Sequence, residues 1–139
     1  MNQQQEISLT ADAVIFIGKK EMSRVLLIKR KNDPFINQWA LPGGFVEPNE
    51  LAVHACKREL LEETGVSLKR ENLKFVNYYD ALSREPRGRT ITFAYMSVLT
   101  DQPDVSANDD ASEAQWFFTD QLPELAFDHL KIIRDALQL

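Results

Sequence analysis

Glu59, Glu62 and Glu63 stand three and four positions apart in the stretch Lys-Arg-Glu-Leu-Leu-Glu-Glu-Thr-Gly, residues 57–65. On a helix, at about 100° per residue, the three side chains project from one side. Carboxylates crowded into one turn repel each other, and a hard divalent cation such as Mg²⁺ or Mn²⁺ relieves that repulsion by taking oxygen ligands. Arg58, four residues before Glu62, is close enough to pair with it and set its orientation. The Pro42-Gly43-Gly44 punctuation reaches the same region, and bare glycines let a backbone carbonyl approach an ion. An acidic helix face is also ordinary protein surface, so the three glutamates alone establish no ion site. The wider spacing does. Gly44, Glu50, Arg58, Glu59, Leu60, Glu62, Glu63, Gly65 and Val66 fit Gly-x5-Glu-x7-Arg-Glu-U-x-Glu-Glu-x-Gly-U, with U a bulky aliphatic residue, at every specified position. With each residue type at ~5–7% of average usage, a chance match in a chain of this length is far below ~10⁻⁶.

The elements that must hold these residues follow from hydrophobic period and punctuation. Val14 to Gly18 reads as a buried strand and Arg24 to Lys29 as its partner, joined by a turn at Gly18 to Met22. Trp39 to Val46 is a sharply bent loop. A helix is predicted from Glu50 to about Thr64, with Asn49 as N-cap, Glu50 in the first turn and Gly65 at the stop. Val53, Cys56 and Leu60 form its core-facing stripe. Leu73 to Tyr79 and Thr90 to Leu99 read as strands, Asp101 to Ser112 as a loop, and Gln115 to Thr119 as a short strand. Phe127 to Leu139 reads as an amphipathic helix with Leu130, Ile133, Ala136 and Leu137 on one face. Strands and helices alternate without regular βαβ spacing, which predicts a mixed sheet packed by helices.

The 139 residues suit one domain, 1–139, with a single core. A net charge of −5, from 16 basic and 21 acidic residues, argues against holding a long nucleic acid by phosphate neutralisation. It leaves room for a small anionic ligand whose charge divalent ions mask. No apolar run approaches the ~20 residues that span a bilayer. Met1 to Thr10 has neither the basic cluster nor the apolar stretch of a signal peptide. Cys56 is the only cysteine, so no intrachain disulfide forms, and a cytoplasmic, reducing setting is expected.

The Gly44–Val66 pattern is the Nudix box, and the chain resembles the Nudix hydrolases. The resemblance implies an α/β/α sandwich of the α+β kind, with a mixed sheet and a loop–helix–loop holding Mg²⁺ or Mn²⁺ against a substrate diphosphate. Carried over position by position, it implies Glu59 and Glu63 as principal ligands and Glu62 as a further ligand oriented by Arg58. The Gly43 carbonyl completes a metal shell, with Glu50 and Gly44 in support. The segments Arg84 to Thr90, Asp109 to Phe117 and Leu125 to His129 resemble an ADP-ribose pyrophosphatase branch. Another such branch carries a proline at about the sixteenth position after the box, where this chain has Leu82. The expected reaction is hydrolysis of ADP-ribose to AMP and ribose 5-phosphate by a metal-activated water.

Arg84, Arg87 and Arg89, with Arg30, are the candidates for substrate phosphate, because guanidinium forks make paired charge-assisted bonds. Solvated turn residues would look the same in sequence. Asp109, Asp110 and Glu113 are candidates for an extra ligand or the general base, beside the alternative of an acidic surface loop. Phe35, Trp39 and Tyr79 could stack on a base but suit a core better. His129 is read as structural or capping, His54 as solvent-facing and Cys56 as a small core residue. Two other functions stay open: a nucleoside-triphosphate pyrophosphohydrolase of the oxidised-nucleotide or CTP type, and a non-catalytic ADP-ribose sensor. Regulators of the sensor kind carry a winged helix for which this chain is expected to leave no room. The expected partner is a small nucleotide, with no nucleic acid polymer and no membrane; a homodimer is a further possibility.

Overall fold

The computed structural model describes residues 3–19 and 22–139. Its strands are β1 (Ser8–Ile17), β2 (Arg24–Arg30), β3 (Trp39–Ala40), β4 (Gly43–Phe45), β5 (Lys74–Tyr79), β6 (Thr90–Leu99) and β7 (Ala111–Phe118). Its helices are α1 (Ala52–Thr64) and α2 (His129–Leu137), with a 3₁₀ turn at Arg70–Asn72. The sheet is mixed: β1 runs parallel to β6 along its whole length, from Ser8 beside Thr90 to Ile17 beside Leu99. β5 adds antiparallel to β6.

Alternation along β1 explains the layers. Ala11, Ala13 and Ile15 face one side and pack with Ala55, Cys56 and Leu60 of α1. Val14 and Phe16 face the other and pack with Ile132, Ile133 and Ala136 of α2. Each helix thus covers one face of the sheet, the sandwich that was expected.

The other edge of β1 forks. Its last residues, Phe16 and Ile17, pair with β2, whereas Thr10 to Asp12 pair with β4. β2 carries β3 and β7 away on its own two edges. A cleft opens between the start of β1 and the end of β2, and Thr10, Asp12, Arg30 and Gly43 line it.

Several boundaries differ from the sequence reading. β1 begins six residues before Val14, because a parallel partner pairs with polar Ser8, Thr10 and Asp12 as readily as with apolar residues. The turn predicted at Gly18 to Met22 includes Lys20 and Glu21, which lie outside the described residues, as do Met1 and Asn2. Asn49 is not the N-cap: it sits at φ 67° in a turn closed by the Glu50 amide donating to the Glu47 carbonyl, 3.1 Å. The helix starts later, at Ala52, with Leu51 as a cap that offers no side-chain bond. Gly65 ends it as expected, at φ 81°, its amide donating to the Leu61 carbonyl. β7 runs from Ala111, longer than the predicted Gln115–Thr119, because cross-strand bonding to β2 recruits the loop's end. On α2 the buried face is His129, Ile132, Ile133 and Ala136, while Leu130 and Leu137 are exposed. No helix among the described residues is long and apolar enough to cross a membrane.

Candidate active site

Helix α1 presents its glutamates at three different depths. Glu62 is exposed, Glu59 is nine-tenths covered, and Glu63 is buried against β4. Glu59, Glu62 and Asp109 bring one carboxylate oxygen each within 4.8 Å of one another. Asp109 arrives from the loop before β7 in a left-handed conformation, φ 56°. Of the three acids that the sequence offered outside the box, Asp109 therefore joins the cluster. Asp110 stays exposed, accepting a long 3.4 Å bond from Asn32. Glu113 lies across the β2–β7 pair from Lys29, 3.4 Å away, outside that cluster.

Arg58 holds the cluster from outside, reaching Glu62 as expected but gripping other acids more closely. Its Nε and one terminal nitrogen donate to both oxygens of Glu50, 2.8 and 3.0 Å, in a paired fork. The other terminal nitrogen reaches Glu59 at 2.9 Å and Glu62 at only 3.3 Å, and the Phe45 carbonyl accepts a further bond. Arg58 is thus chiefly a Glu50 and Glu59 brace; Glu62 is its longest hydrogen bond, and Glu47 stands farther off at 3.7 Å. Glu50 can serve because it precedes the helix and folds back, accepting the Glu47 amide as well.

Glu63 accepts the Gly43 amide at 2.8 Å. Burial pushes its carboxyl up to about 9, and the charges of Glu59, Asp110 and Asp12 add to the shift. Burial likewise lifts Glu59 to about 7, with Glu62 and Asp109 adding repulsion and Arg58 opposing it. A carboxylate cluster that resists ionisation without a counter-charge suits a divalent cation. The donors are all hard oxygens, and Gly44 leaves the needed space: a Cβ there would stand 2.6 Å from the Glu59 carboxylate. Glu59, Glu62 and Asp109 could hold such an ion.

The cleft continues from Glu63, Gly43 and Gly44 to Arg30, Arg84 and Arg87. Arg84 is buried and clamped by Asp128 in a two-bond fork, 2.9 and 2.7 Å. Burial works against its charge, yet that fork leaves its pKa raised overall. Arg87 pairs with buried Glu85 and lies over the Phe45 ring. Arg30 has no carboxylate pair among the described residues: its Nε donates to the Pro34 carbonyl and its guanidinium lies over Phe127, 5.0 Å from the centroid. Burial, and then the charge of Arg87, lower its pKa. Arg89 is not brought to the cleft; its Nε is buried without a hydrogen-bond partner among the described residues.

Tyr79 is buried and donates to Asp135, and Trp39 packs edge-on to Phe117, so both are core rather than base platforms. Phe35 packs edge-on to Phe127. Cys56 is fully buried, its thiol pushed up by burial, and His54 is exposed, both as expected. The sequence reading missed Asp12, Thr92, Glu85 and Asp128. Asp12 had a usable signal, a lone acid in the run Thr-Ala-Asp-Ala-Val-Ile-Phe-Ile.

A NUDIX domain model matches residues 8–136. The chain belongs to the Nudix family. Gly44 to Val66 is accordingly its Nudix box, and the loop–helix–loop is β4, α1 and the Gly65 stop. The chain is 44% identical, over 117 residues, to an ADP-ribose pyrophosphatase of Methanocaldococcus jannaschii, an alignment covering 84% of this chain and 67% of that protein. Its fold is similar to the NUDIX domain of Shewanella oneidensis NrtR complexed with ADP ribose. The TM-score there is 0.86 at 31% identity, over 97% of this chain and 89% of that one. It is also similar to a bifunctional NMN adenylyltransferase/ADP ribose pyrophosphatase from Francisella tularensis, complexed with AMP and a manganese ion. That TM-score is 0.82 at 30% identity, over 99% of this chain and 43% of the other. This Nudix chain thus spans about two thirds of the archaeal relative and less than half of the bifunctional one.

Proposed function

We propose that this chain hydrolyses the diphosphate of ADP-ribose to AMP and ribose 5-phosphate, with Mg²⁺ or Mn²⁺ at the Glu59–Glu62–Asp109 cluster. The observation that carries the reading is the cleft itself. One end is walled by Glu63 beside Gly43 and Gly44, and the other by the guanidiniums of Arg30, Arg84 and Arg87, as a metal-bound diphosphate requires. The likeness to the archaeal ADP-ribose pyrophosphatase supports the choice of substrate.

A bound divalent cation would neutralise phosphate oxygens and lower the pKa of a water. Glu59, Glu62, Glu63 and Asp109, with the Gly43 carbonyl, are assigned to hold it. Arg58 and Glu50 keep Glu59 in place. Gly44 keeps a side chain out of the way. The attacking water bonds to one phosphorus as the bridging P–O bond breaks, and its proton goes to a carboxylate. Asp110 is the candidate for that proton, because it stands near Glu63 and Arg30 outside the three-carboxylate cluster. Arg30 and Arg84 bind the phosphate of the non-adenosine half, Arg84 through the edge that Asp128 leaves open.

The test is a substrate panel of ADP-ribose, CTP and 8-oxo-dGTP with products identified by chromatography. AMP and ribose 5-phosphate from ADP-ribose at the highest kcat/KM is the expected result. Arg30→Gln should lower that kcat/KM by roughly tenfold to a hundredfold, the value of one or two charge-assisted bonds, and affect triphosphates less. Preference for a triphosphate with release of inorganic pyrophosphate overturns the substrate reading. Tight ADP-ribose binding without turnover would make the chain a sensor.

A further inference from the structure

The buried group that the proposed chemistry leaves unused is His129, at the first position of α2. It is 4% exposed, and its Nδ1 is held by a hydrogen bond. Nδ1 accepts the Leu41 amide at 3.0 Å, so the ring's proton belongs on Nε2, which faces the Asp12 carboxylate at 3.6 Å. Burial lowers the pKa of His129, in keeping with a neutral ring that accepts at Nδ1. Asp12 is itself buried and takes a 2.6 Å bond from the Thr92 hydroxyl. The hydrogen bond to the Leu41 amide is what fixes the ring.

What His129 holds is the corner between β3 and β4. That corner is tied at three successive residues. The Leu41 amide goes to His129, the Pro42 carbonyl accepts the Ala13 amide at 2.8 Å, and the Gly43 amide goes to Glu63. The corner has no slack on its inner side, since a Cβ at Gly43 would meet the Ala11 carbonyl and the Asp12 carboxylate, each at 2.3 Å. A shift at Leu41 therefore passes to Gly43, two residues on, and to the hydrogen bond that aims Glu63.

We propose that His129 is the positioning residue for Glu63: its Nδ1 fixes the Leu41–Gly43 corner, and through the Gly43 amide it orients the buried glutamate of the box. It lies outside the Glu59–Glu62–Asp109 cluster and acts on Glu63 through the backbone. This rests on the box carboxylates being the working groups, but not on which nucleotide is cleaved.

The two nitrogens can be separated. The side-chain oxygen of His129→Asn can take the place of Nδ1, whereas His129→Gln offers a group near Nε2 and leaves the Leu41 amide without an acceptor. On ADP-ribose, His129→Asn should keep kcat within about threefold of wild type, and His129→Gln should lose tenfold to a hundredfold in kcat with KM little changed. Amide hydrogen exchange reads the same coupling without turnover. Leu41 and Gly43 should share one protection factor in wild type, and His129→Gln should speed both at least tenfold while His129→Asn does not. Equal kcat for His129→Gln and wild type overturns the proposal, as does a loss that falls on KM alone. Independent exchange of Leu41 and Gly43 in wild type also overturns it, and needs no variant to fold. If wild type leaves ADP-ribose intact, the substrate reading fails, and the exchange pattern still decides the role of His129.

Discussion

Arg58 touches four acids and a carbonyl, and the geometry ranks them. Two good bonds to Glu50, one to Glu59 and a longer one to Glu62 make it the tie between the loop ahead of α1 and the cluster on it. Lysine keeps the charge but has no planar fork, so it can satisfy one of those acids well and the rest poorly. Arg58→Lys should lower kcat tenfold or more with KM nearly unchanged, and Glu50→Gln should resemble it. A rise in KM alone in steady-state assays would place Arg58 on the substrate instead. The buried glutamates also set how stability follows pH. Folded Glu63 titrates at about 9 and Glu59 at about 7, against 4.5 for a free carboxyl. Between 4.5 and those values the folded chain binds protons that the unfolded chain has released, so stability falls as pH rises. In a chelator, Tm should therefore drop from mildly acidic to alkaline pH, and Glu63→Gln should flatten the drop. Added Mg²⁺ or Mn²⁺ should raise Tm most at the alkaline end, where the carboxylates are ionised to receive it. Calorimetric scans across pH, with and without metal, check this; a Tm that rises with pH in chelator contradicts it.

At the scale of elements, β4 uses its two glycines differently. At Gly43 a methyl group would strike the backbone carbonyl of Ala11, so Gly43→Ala must disturb the β1–β4 pairing. At Gly44 it would strike only the carboxylate of Glu59, a side chain that can turn away. Gly43→Ala should cost about 2–4 kcal/mol of stability, whereas Gly44→Ala should unfold near the wild-type temperature and lose most of its turnover. Denaturant unfolding set beside kcat separates the two, and equal stability losses would show that the difference does not hold. Much of this segment could be read beforehand. The box spacing, the one-sided glutamates, the core stripe of Cys56 and Leu60 and the stop at Gly65 are local facts, and a helix period expresses them. The start of α1 was not legible in the same way. Asn49 is a good cap by type, but Glu50 is claimed by Arg58 eight residues on, and that contact keeps the first turn from beginning there. The rotated face of α2 has the same kind of cause: His129 is buried because Leu41 and Asp12 receive it, and both lie far away in the chain. The pairing of Arg84 with Asp128 and the arrival of Asp109 beside Glu59 are likewise products of tertiary assembly. Charge and spacing could nominate those residues but could not choose among them.

At the scale of the molecule, the cleft exists because β1 serves two strands on one edge. β4 takes its beginning and β2 its end, and the gap between them runs from Glu63 to the arginines. The opposite edge of β1 belongs wholly to β6, a strand some eighty positions later in the chain. That long reach sets an order of assembly. A chain emerging from synthesis would have α1 and every box glutamate in hand before Thr90 exists, and loop-closure entropy makes a parallel pairing of this separation slow to form. Until it forms, Asp12 lacks the hydroxyl of Thr92, and β1 has partners on one edge only. The box glutamates are therefore present early, as a local and mutually repelling helix face. The cleft beside them is completed only once Thr90, Phe127 and His129, which also line it, have been made.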